Sequence, residues 1–194
     1  KSKAVKKLYN QINNEKFYKK IRNFFNDDKL NWAPNEKFSL FSKDFFGEQK
    51  FSFKEKIVKG LSFFNLIKTS MNLDIDFSVS EKGYYRSAHR DRDTRVINFL
   101  IYLNSFKKQY GGTLEIHKSK YTRDKQDDYS RFPKKSHTRL VKRIPAKAGR
   151  MVIFLSTPDS YHAAEKIYKD KLKRIFIYGS FSLNKKVFWK KKFK

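Results

Sequence analysis

The stretch that decides how this chain folds runs from Tyr84 to Asn104 and reads YYRSAHRDRDTRVINFLIYLN. Its first half is polar and places a histidine and an aspartate two positions apart, at His89 and Asp91. Its second half, from Arg95, is rich in β-branched and aromatic residues, which is typical of a strand. Alternate residues of a strand share a face, so His89 and Asp91 point the same way if the strand begins that early. The pair forms one edge of a metal site only if a further ligand comes from elsewhere in the chain.

The sequence around this stretch also predicts strands. From Leu73 onward, apolar and polar residues alternate in short segments that are separated by turn signals. The segments are LDIDFSVS (73–80), RVINFLIYL (95–103), GTLEIH (112–117), RLVKRIPA (139–146), RMVIFLS (150–156), YHAAEKI (161–167) and KRIFIYGSFSL (173–183). Seven or eight short strands without intervening helices predict a sandwich, a jelly roll or a barrel.

The first 72 residues predict helices instead. Apolar residues recur at helical spacing along KAVKKLYNQI and continue after a polar break, and a capping box at Ser52 to Glu55 begins a further helix. The apolar positions of these helices are Val5, Leu8, Ile12, Phe17, Ile21, Phe24, Phe53, Ile57, Leu61 and Phe64. We therefore expect one α+β domain over residues 1–194. It comprises a helical support region (1–72) packed on one sheet, a β core (73–184) and a basic tail (185–194).

The chain of 194 residues contains no cysteine. This excludes disulfides, thiolate metal sites and a cysteine nucleophile, and it fits a reducing compartment, so we expect a cytoplasmic location. No apolar run approaches the roughly 20 residues that a membrane span needs. The start of the sequence lacks the apolar segment of a secretory signal.

The net charge of +27 favours anionic partners such as nucleic acid, a membrane surface or an acidic protein. The lysines are spread along the whole chain, which is also rich in Asn, Ile, Phe and Tyr, as an AT-rich genome would encode. A nucleic-acid footprint should cluster on one face instead. The charge therefore indicates acidic partners in general and not one named function.

Three histidines remain as candidates for the second imidazole ligand. His137 lies in the polar stretch 118–137, which is too long for a hairpin turn and is expected to be functional or disordered. His117 ends a predicted strand beside Lys118, so we expect both histidines to be solvated. His162 instead begins a predicted strand after a turn. Two neutral imidazoles and one carboxylate, with the remaining positions open, form the facial triad of non-haem Fe(II) sites.

The region from Tyr84 to Leu183 resembles the catalytic core of the Fe(II)/2-oxoglutarate-dependent dioxygenases, especially the prolyl 4-hydroxylase-like branch. In that family the His-x-Asp precedes a strand that bears an arginine and ends in Tyr-Leu-Asn. A Gly-Gly strand, a Gly-Arg turn, a distal histidine and a basic residue follow. The matching residues are His89, Asp91, Arg95, Tyr102-Leu103-Asn104, Gly111-Gly112, Gly149-Arg150, His162 and Arg174. The resemblance implies a double-stranded β-helix of the jelly-roll or cupin type for residues 73–184, with the N-terminal helices packed on one sheet.

The resemblance also implies the ligands of the site. Fe(II) is expected on His89, Asp91 and His162, with 2-oxoglutarate as cosubstrate, O2 as oxidant and ascorbate as a candidate reductant. Arg174 would bind the far carboxylate of 2-oxoglutarate through its planar guanidinium, with a hydrogen bond from Tyr102. Arg174 lies twelve residues after His162, where about ten is usual in the family. Lys171 and Lys173 are therefore alternatives, although Lys173 points to the opposite strand face.

Further residues are expected around the cosubstrate. Strand alternation places Asn98 and Leu100 on the face of Tyr102, and Phe176 and Tyr178 on the face of Arg174. The other expected contacts are Leu114 and Ile116 as walls of the pocket, and Tyr84 or Tyr85 beside the metal motif.

The implied activity is hydroxylation of a C–H bond, with release of succinate and CO2, on a prolyl or other residue of a polypeptide. A free amino acid or another small metabolite is the alternative substrate. Arg86, Arg90 and Arg92 beside the metal motif suit an acidic partner. Nucleic-acid demethylation is not favoured, because relatives with that activity carry Arg-x-Asn-x-Thr-x-Arg after the distal histidine, which RIFIYGSFSL lacks. The non-enzyme alternative is a basic nucleic-acid-binding module with a vestigial metal site.

Overall fold

The computed structural model describes residues 3–25, 71–120, 131–157 and 159–183. The elements in these residues are α1 (Lys3–Ile12), α2 (Glu15–Arg22), β1 (Met71–Ser80), β2 (Arg86–His89), β3 (Arg95–Tyr102), β4 (Leu114–Ser119), β5 (Thr138–Ile144), β6 (Met151–Leu155), β7 (Tyr161–Ala164) and β8 (Arg174–Leu183), with short 3₁₀ turns at Lys108–Tyr110 and Lys135–His137. The helix predicted from Ser52, residues 121–130 of the predicted long loop and the basic tail lie outside the described residues.

The eight strands form two four-stranded sheets. The strand order is β1-β8-β3-β6 in one sheet and β2-β7-β4-β5 in the other. Successive strands along the chain therefore change sheet at every step except from β4 to β5. The pairs β2–β7, β3–β6, β4–β5 and β4–β7 are antiparallel. This order is that of a double-stranded β-helix, so the predicted jelly-roll core is confirmed.

All seven strands predicted from the sequence are present, within a few residues at each end. The eighth strand, β2, is one that the pattern did not delimit. Its four residues, RSAH, are short and mostly polar, so they show no alternation, and its burial comes from pairing with β7. β3 begins at Arg95 as predicted and β2 ends at His89, so the condition under which His89 and Asp91 would share one strand is not met.

Contacts between Cα atoms divide the chain into two compact units. The first comprises Lys1–Asp74, Thr94–Val96 and Ser180–Lys194. In this unit, α2 packs on β8 through the Tyr18 ring, which lies edge-on to Phe181 with centroids 4.9 Å apart. The predicted polar break between the helices is where Asn14 caps α2 by accepting from Phe17 N at 2.9 Å. The predicted stripe ends at Ile21, since Phe24 lies beyond α2 and is 69 % exposed.

The second unit comprises Ile75–Asp93 and Ile97–Gly179. Its core includes the buried residues Leu100, Tyr102, Phe106, Leu114, Ala146, Ile167 and Phe176. Gly112 has a φ of +68°, and a Cβ there would press on Ile167 2.9 Å away, so glycine is needed where the chain enters β4. All side chains of the site described below belong to this unit.

Candidate active site

The two predicted histidine ligands face each other across neighbouring strands. β2 and β7 are antiparallel, and His89 is the direct partner of His162. Directly opposed residues in such a pair project to the same side of the sheet. The two ring centroids are accordingly 4.4 Å apart. Strand pairing therefore brings together two residues that are 73 positions apart in the chain.

Asp91 reaches the histidines from the turn between β2 and β3. Its Oδ2 lies 3.5 Å from His162 Nε2. His89, Asp91 and His162 are all buried, and their potential ligand atoms lie within 4.8 Å of one another. In the part of the chain that the structure describes, this is the one group of three His, Asp or Glu side chains with such geometry.

The other two histidines are elsewhere. His137 belongs to the 3₁₀ turn before β5. His117 lies on β4 with Nε2 3.2 Å from Glu115 Oε2, and only 14 % of its side chain is exposed, so the prediction that it is solvated is wrong.

Hydrogen bonds fix the protonation of the two histidine ligands. His89 Nδ1 lies 2.8 Å from the Ser87 carbonyl oxygen, and His162 Nδ1 lies 3.3 Å from the Ser160 carbonyl oxygen. A carbonyl oxygen only accepts, so each Nδ1 carries the proton and each Nε2 offers its lone pair. Burial, and then repulsion from His162, lower the pKa of His89 to about 4. His89 is therefore neutral at pH 7, as a metal ligand must be.

Asp91 is held by a buried polar network. Its Oδ2 accepts from Asn98 Nδ2 at 2.9 Å and from the Tyr178 hydroxyl at 3.0 Å. The Asn98 amide also donates to Ser156 Oγ at 2.5 Å, and its Oδ1 accepts from the Tyr178 hydroxyl at 3.1 Å. Asn98 is completely buried. The prediction of Asn98 as a cosubstrate contact is therefore corrected, because its amide orients the carboxylate ligand and its side chain is not part of the cavity wall.

A cavity of about 110 Å³ extends from the three candidate ligands to Arg174. Apolar side chains separate its two ends, so water has little to bind there. The residues that line it are Asp76, Ser78, Tyr84, Arg86, His89, Asp91, Leu100, Tyr102, Leu114, His162, Ala163, Ala164, Arg174, Phe176 and Tyr178.

Arg174 provides a buried positive charge at the end of the cavity away from the metal group. Its side chain donates to the Gly112 carbonyl and, at 3.3 Å, to Ser80 Oγ, whereas its Nε has no hydrogen-bond partner. No described Asp or Glu forms an ion pair with it. Burial lowers the pKa of Arg174, but a guanidinium remains charged at neutral pH. The site therefore lacks one negative group, which a ligand carboxylate would supply.

The lysines considered as alternatives to Arg174 lie outside the cavity. Lys171 is exposed, and Lys173 Nζ forms an exposed ion pair with Glu81 Oε1 at 2.9 Å. Of Arg174, Lys171 and Lys173, the structure thus places only Arg174, at the start of β8, in the cavity.

Tyr102 completes the end of the cavity near Arg174. Its hydroxyl is buried and has no hydrogen-bond partner. Burial raises the pKa of Tyr102, so the hydroxyl keeps its proton and can donate it. A buried donor without an acceptor costs about 1–3 kcal/mol, which a ligand oxygen would offset. The Tyr102 hydroxyl and the Arg174 guanidinium therefore fit the same carboxylate.

The remaining predicted residues divide into two groups. Leu114 lines the cavity as expected, whereas Ile116 only packs behind it. The prediction of Tyr85 is corrected to its neighbour Tyr84, because Tyr85 is 59 % exposed and lies outside the cavity. The ring centroid of Tyr84 lies 5.4 Å from the guanidinium carbon of Arg174.

Sequence reasoning missed the role of Tyr178 and did not place Asp76 or Ser78 at the site. Alternation along β8 placed Tyr178 on the correct face, but nothing in the sequence indicated its bond to Asp91. Asp76 and Ser78 line the cavity from β1, where polar residues at alternate positions resembled a solvated strand face.

The donor set fits a first-row transition metal. Two neutral imidazole nitrogens and one carboxylate, with the other positions open to the cavity, are the ligands of non-haem Fe(II) oxygenase sites. The buried guanidinium at the other end fits a carboxylate of a cosubstrate.

Neither described helix is long and apolar enough to cross a membrane.

Comparison with solved structures found several similar chains. A prolyl 4-hydroxylase from Pseudomonas putida is 22 % identical, with 57 % of this chain and 52 % of that chain covered and a TM-score of 0.39. A prolyl hydroxylase from Trichoplax adhaerens, solved with a hypoxia inducible factor peptide fragment, is 20 % identical, with 56 % and 43 % covered and a TM-score of 0.38. EvdO2 from Micromonospora carbonacea, complexed with 2-oxoglutarate, is 11 % identical, with 70 % and 62 % covered and a TM-score of 0.37. The chain thus spans about half of the first of these structures and less than two thirds of each.

Comparison with curated protein sequences gave no match. The sequence model of the 2OG-Fe(II) oxygenase superfamily, however, matches residues 75–181, which is more than half of the chain. The matched range contains every residue of the cavity, from Asp76 to Tyr178. The resemblance found in the sequence is therefore confirmed, and this chain belongs to the 2OG-Fe(II) oxygenase superfamily.

Proposed function

We propose that this protein is an Fe(II)- and 2-oxoglutarate-dependent dioxygenase that hydroxylates a C–H bond of its substrate. The observation that carries the proposal is the pairing of two incomplete sites in one cavity. At one end, two imidazoles and a carboxylate converge in the geometry of a metal site, with their potential ligand atoms within 4.8 Å of one another. At the other end, Arg174 and Tyr102 lack a negative partner. Fe(II) and 2-oxoglutarate, which the superfamily uses together with O2, complete both.

The side chains of this protein would bind and orient the reactants. His89, Asp91 and His162 would hold Fe(II), which supplies O2 activation, so that 2-oxoglutarate becomes succinate and CO2 while one substrate C–H becomes C–OH. Arg174 and Tyr102 would hold the far carboxylate of 2-oxoglutarate. Leu100, Leu114 and Phe176, between the two ends, would exclude water from the cosubstrate.

A prolyl or other residue of a polypeptide is the substrate that we propose. The order of motifs from His89 to Arg174 resembles the prolyl-hydroxylase branch, and the metal end of the cavity is bordered by exposed Arg86 and Asp76, where a chain could approach. A free amino acid or another small metabolite is the second candidate. Ascorbate is a candidate reductant for restoring Fe(II).

The test uses the full chain with Fe(II), 2-oxoglutarate and air, and measures succinate. We expect succinate to form slowly without substrate and faster when a substrate peptide is added. His162→Ala should reduce turnover at least about 1,000-fold, because one metal ligand is lost. His137→Ala, which removes a histidine outside the cavity, is the matched control and should leave turnover unchanged.

Turnover that survives in His162→Ala would contradict the metal assignment. A salt-dependent gel shift with nucleic acid, without any 2-oxoglutarate turnover, would instead support the basic binding module.

A further inference from the structure

A β-bulge in β2 turns Arg86 toward the metal end of the cavity. In the pairing with β7, Arg86 lies opposite Ala164 and His89 lies opposite His162. Three steps along β2 therefore match two along β7, so β2 contains one extra residue. In a regular strand, residues three apart point to opposite faces. The extra residue allows Arg86 and His89 to line the same cavity.

The guanidinium of Arg86 is exposed at this end of the cavity and close to the candidate metal ligands. Arg86 lies three residues before His89 on β2, and both side chains line the cavity. None of the described acidic side chains forms an ion pair with Arg86. Arg90, in contrast, binds Asp93 Oδ1 at 2.6 Å. Of these two arginines beside the metal motif, Arg86 is the one that lines the cavity.

Arg86 and Arg174 reach the cavity from different sheets, Arg86 from β2 and Arg174 from β8. Tyr178, which binds Asp91 at the metal end, lies four residues along β8 from Arg174. Four residues of a strand span roughly 13 Å. That span separates Arg174 from the metal end, and Arg86, three residues before His89, is a second guanidinium of the cavity that can bind a different anionic group.

Two other side chains lie beside this end of the cavity, Phe132 against His89 and Asp76 in the cavity wall. The ring of Phe132 stacks on that of His89, with centroids 5.8 Å apart and 19° between planes, and is 53 % exposed. The Arg90 backbone N–H donates to the Arg131 carbonyl at 2.9 Å and holds this segment in place. Asp76 contributes a carboxylate from β1. A substrate with many negative charges would be repelled by Asp76, whereas one localised carboxylate can avoid it.

We propose that Arg86 binds a carboxylate of the substrate close to the C–H bond that is oxidised, and that Phe132 contacts the apolar part of the same substrate. This inference rests on the proposed function and names the substrate class for it. The carboxylate has two candidate sources, an acidic side chain next to the target residue of a peptide or the α-carboxylate of a free amino acid. The position of Arg86 is the same for both.

The test measures succinate release with two matched pairs of compounds. One pair is a proline-containing peptide with either Glu or Gln beside the proline, and the other is L-proline and L-prolinamide. In one pair, the carboxylate-bearing member should have the lower KM, and that pair identifies the source. Arg86→Gln should raise this KM about 10- to 100-fold, the effect of losing a hydrogen bond to a charged group. Phe132→Ala should raise the same KM, whereas Phe132→Tyr should not.

Two further variants separate this role from a general charge effect. Arg86→Lys keeps the charge but loses the planar fork, so its KM should be intermediate. Arg139→Gln removes an equal charge from an exposed position on β5, outside the cavity, and should leave the KM unchanged. The KM for 2-oxoglutarate, measured without substrate, should be the same in all of these variants.

The outcomes distinguish this inference from the proposed function. If the unmodified protein forms no succinate from 2-oxoglutarate, the proposed function itself is wrong. If succinate forms but neither pair shows a preference for the carboxylate, the inference about Arg86 is overturned. It is also overturned if Arg86→Gln raises the KM for 2-oxoglutarate, or if Arg139→Gln has the same effect as Arg86→Gln.

Discussion

The two ends of the cavity differ in how completely the protein satisfies its own polar groups. At the metal end, the Asp91 carboxylate accepts from Asn98 and Tyr178, and both histidine ligands are oriented by backbone carbonyls. At the other end, the described part of the chain supplies neither a carboxylate to Arg174 nor an acceptor to the Tyr102 hydroxyl. The metal end is thus organised before any ligand binds, whereas the Arg174 end is completed only by a ligand.

Because their polar groups are satisfied to different extents, the two ends should respond differently to mutation. A group that is already satisfied supports both folding and binding, because its partners lose hydrogen bonds when it is removed. A group that lacks its partner contributes mainly to binding, since its burial costs free energy until the ligand arrives. Mutations at each end therefore test whether its polar groups support folding, ligand binding or both.

Among the variants that compare the two ends, Arg174→Met should have the largest effect on ligand binding. The KM for 2-oxoglutarate should rise by about 100-fold or more, because a bidentate ion pair in a buried site is lost. Without ligand, the free energy of unfolding should change by no more than about 1–3 kcal/mol, since relief of the unpaired buried charge offsets the lost bonds to Gly112 and Ser80. Succinate release at increasing 2-oxoglutarate concentration measures the KM, and unfolding without ligand measures the stability. A large loss of stability without ligand would show that the charge is already compensated.

Asn98→Ala should weaken ligand binding less than Arg174→Met does. It should also lower the free energy of unfolding without ligand. Asp91 loses a donor and Ser156 loses its contact, so affinity for a divalent metal should fall about 10- to 100-fold. The free energy of unfolding should fall by about 1–3 kcal/mol even without metal. Metal titration and denaturant unfolding are the measurements.

Asn104→Ala is the matched control for Asn98→Ala. Its side chain donates to the Lys173 carbonyl at 2.7 Å and accepts from Ile175 N at 2.9 Å, outside the cavity. This variant should lose stability but keep its metal affinity. Equal loss of metal affinity in both variants would mean that Asn98 acts only through general stability.

The smallest effect is expected for Tyr102→Phe. The KM for 2-oxoglutarate should rise roughly 3- to 10-fold, the value of one hydrogen bond, because Arg174 is still present. Stability without ligand should stay the same or rise slightly, since the variant removes a buried hydroxyl without an acceptor. A clear loss of stability would indicate that the hydroxyl is satisfied within the protein.

Much of the fold was predictable because strand alternation is a local signal. Seven of the eight strands and the two N-terminal helices follow from apolar periodicity, and each was found within a few residues of its predicted position. β2 was missed because RSAH has too few apolar residues to show a period, and because its bulge breaks the alternation. Whether His89 and Asp91 share a strand was left open by the sequence, and the structure places Asp91 in the turn after β2.

The residues of the site that belong to the ordered motifs were predictable from the sequence. His89, Asp91, His162 and Arg174 were identified from their residue types and spacing, and the structure brings all four to one cavity. Tyr84 and Tyr85 could not be distinguished, because both flank the motif and only the course of the chain into β2 decides which faces inward. The role of Asn98 differed from expectation, since Ser156 and Tyr178, which share its network, lie 58 and 80 positions away.

The sequence by itself determined the residue types of the metal site, the strand segments and the family to which the chain belongs. These depend on local patterns and on the order of motifs along the chain. The tertiary structure alone decided which basic residue faces the cavity, which hydroxyls and amides lack or find partners, and which side chains the β2 bulge turns inward. Those properties depend on pairings between strands that are distant in sequence, and register between such strands is not encoded by either strand alone.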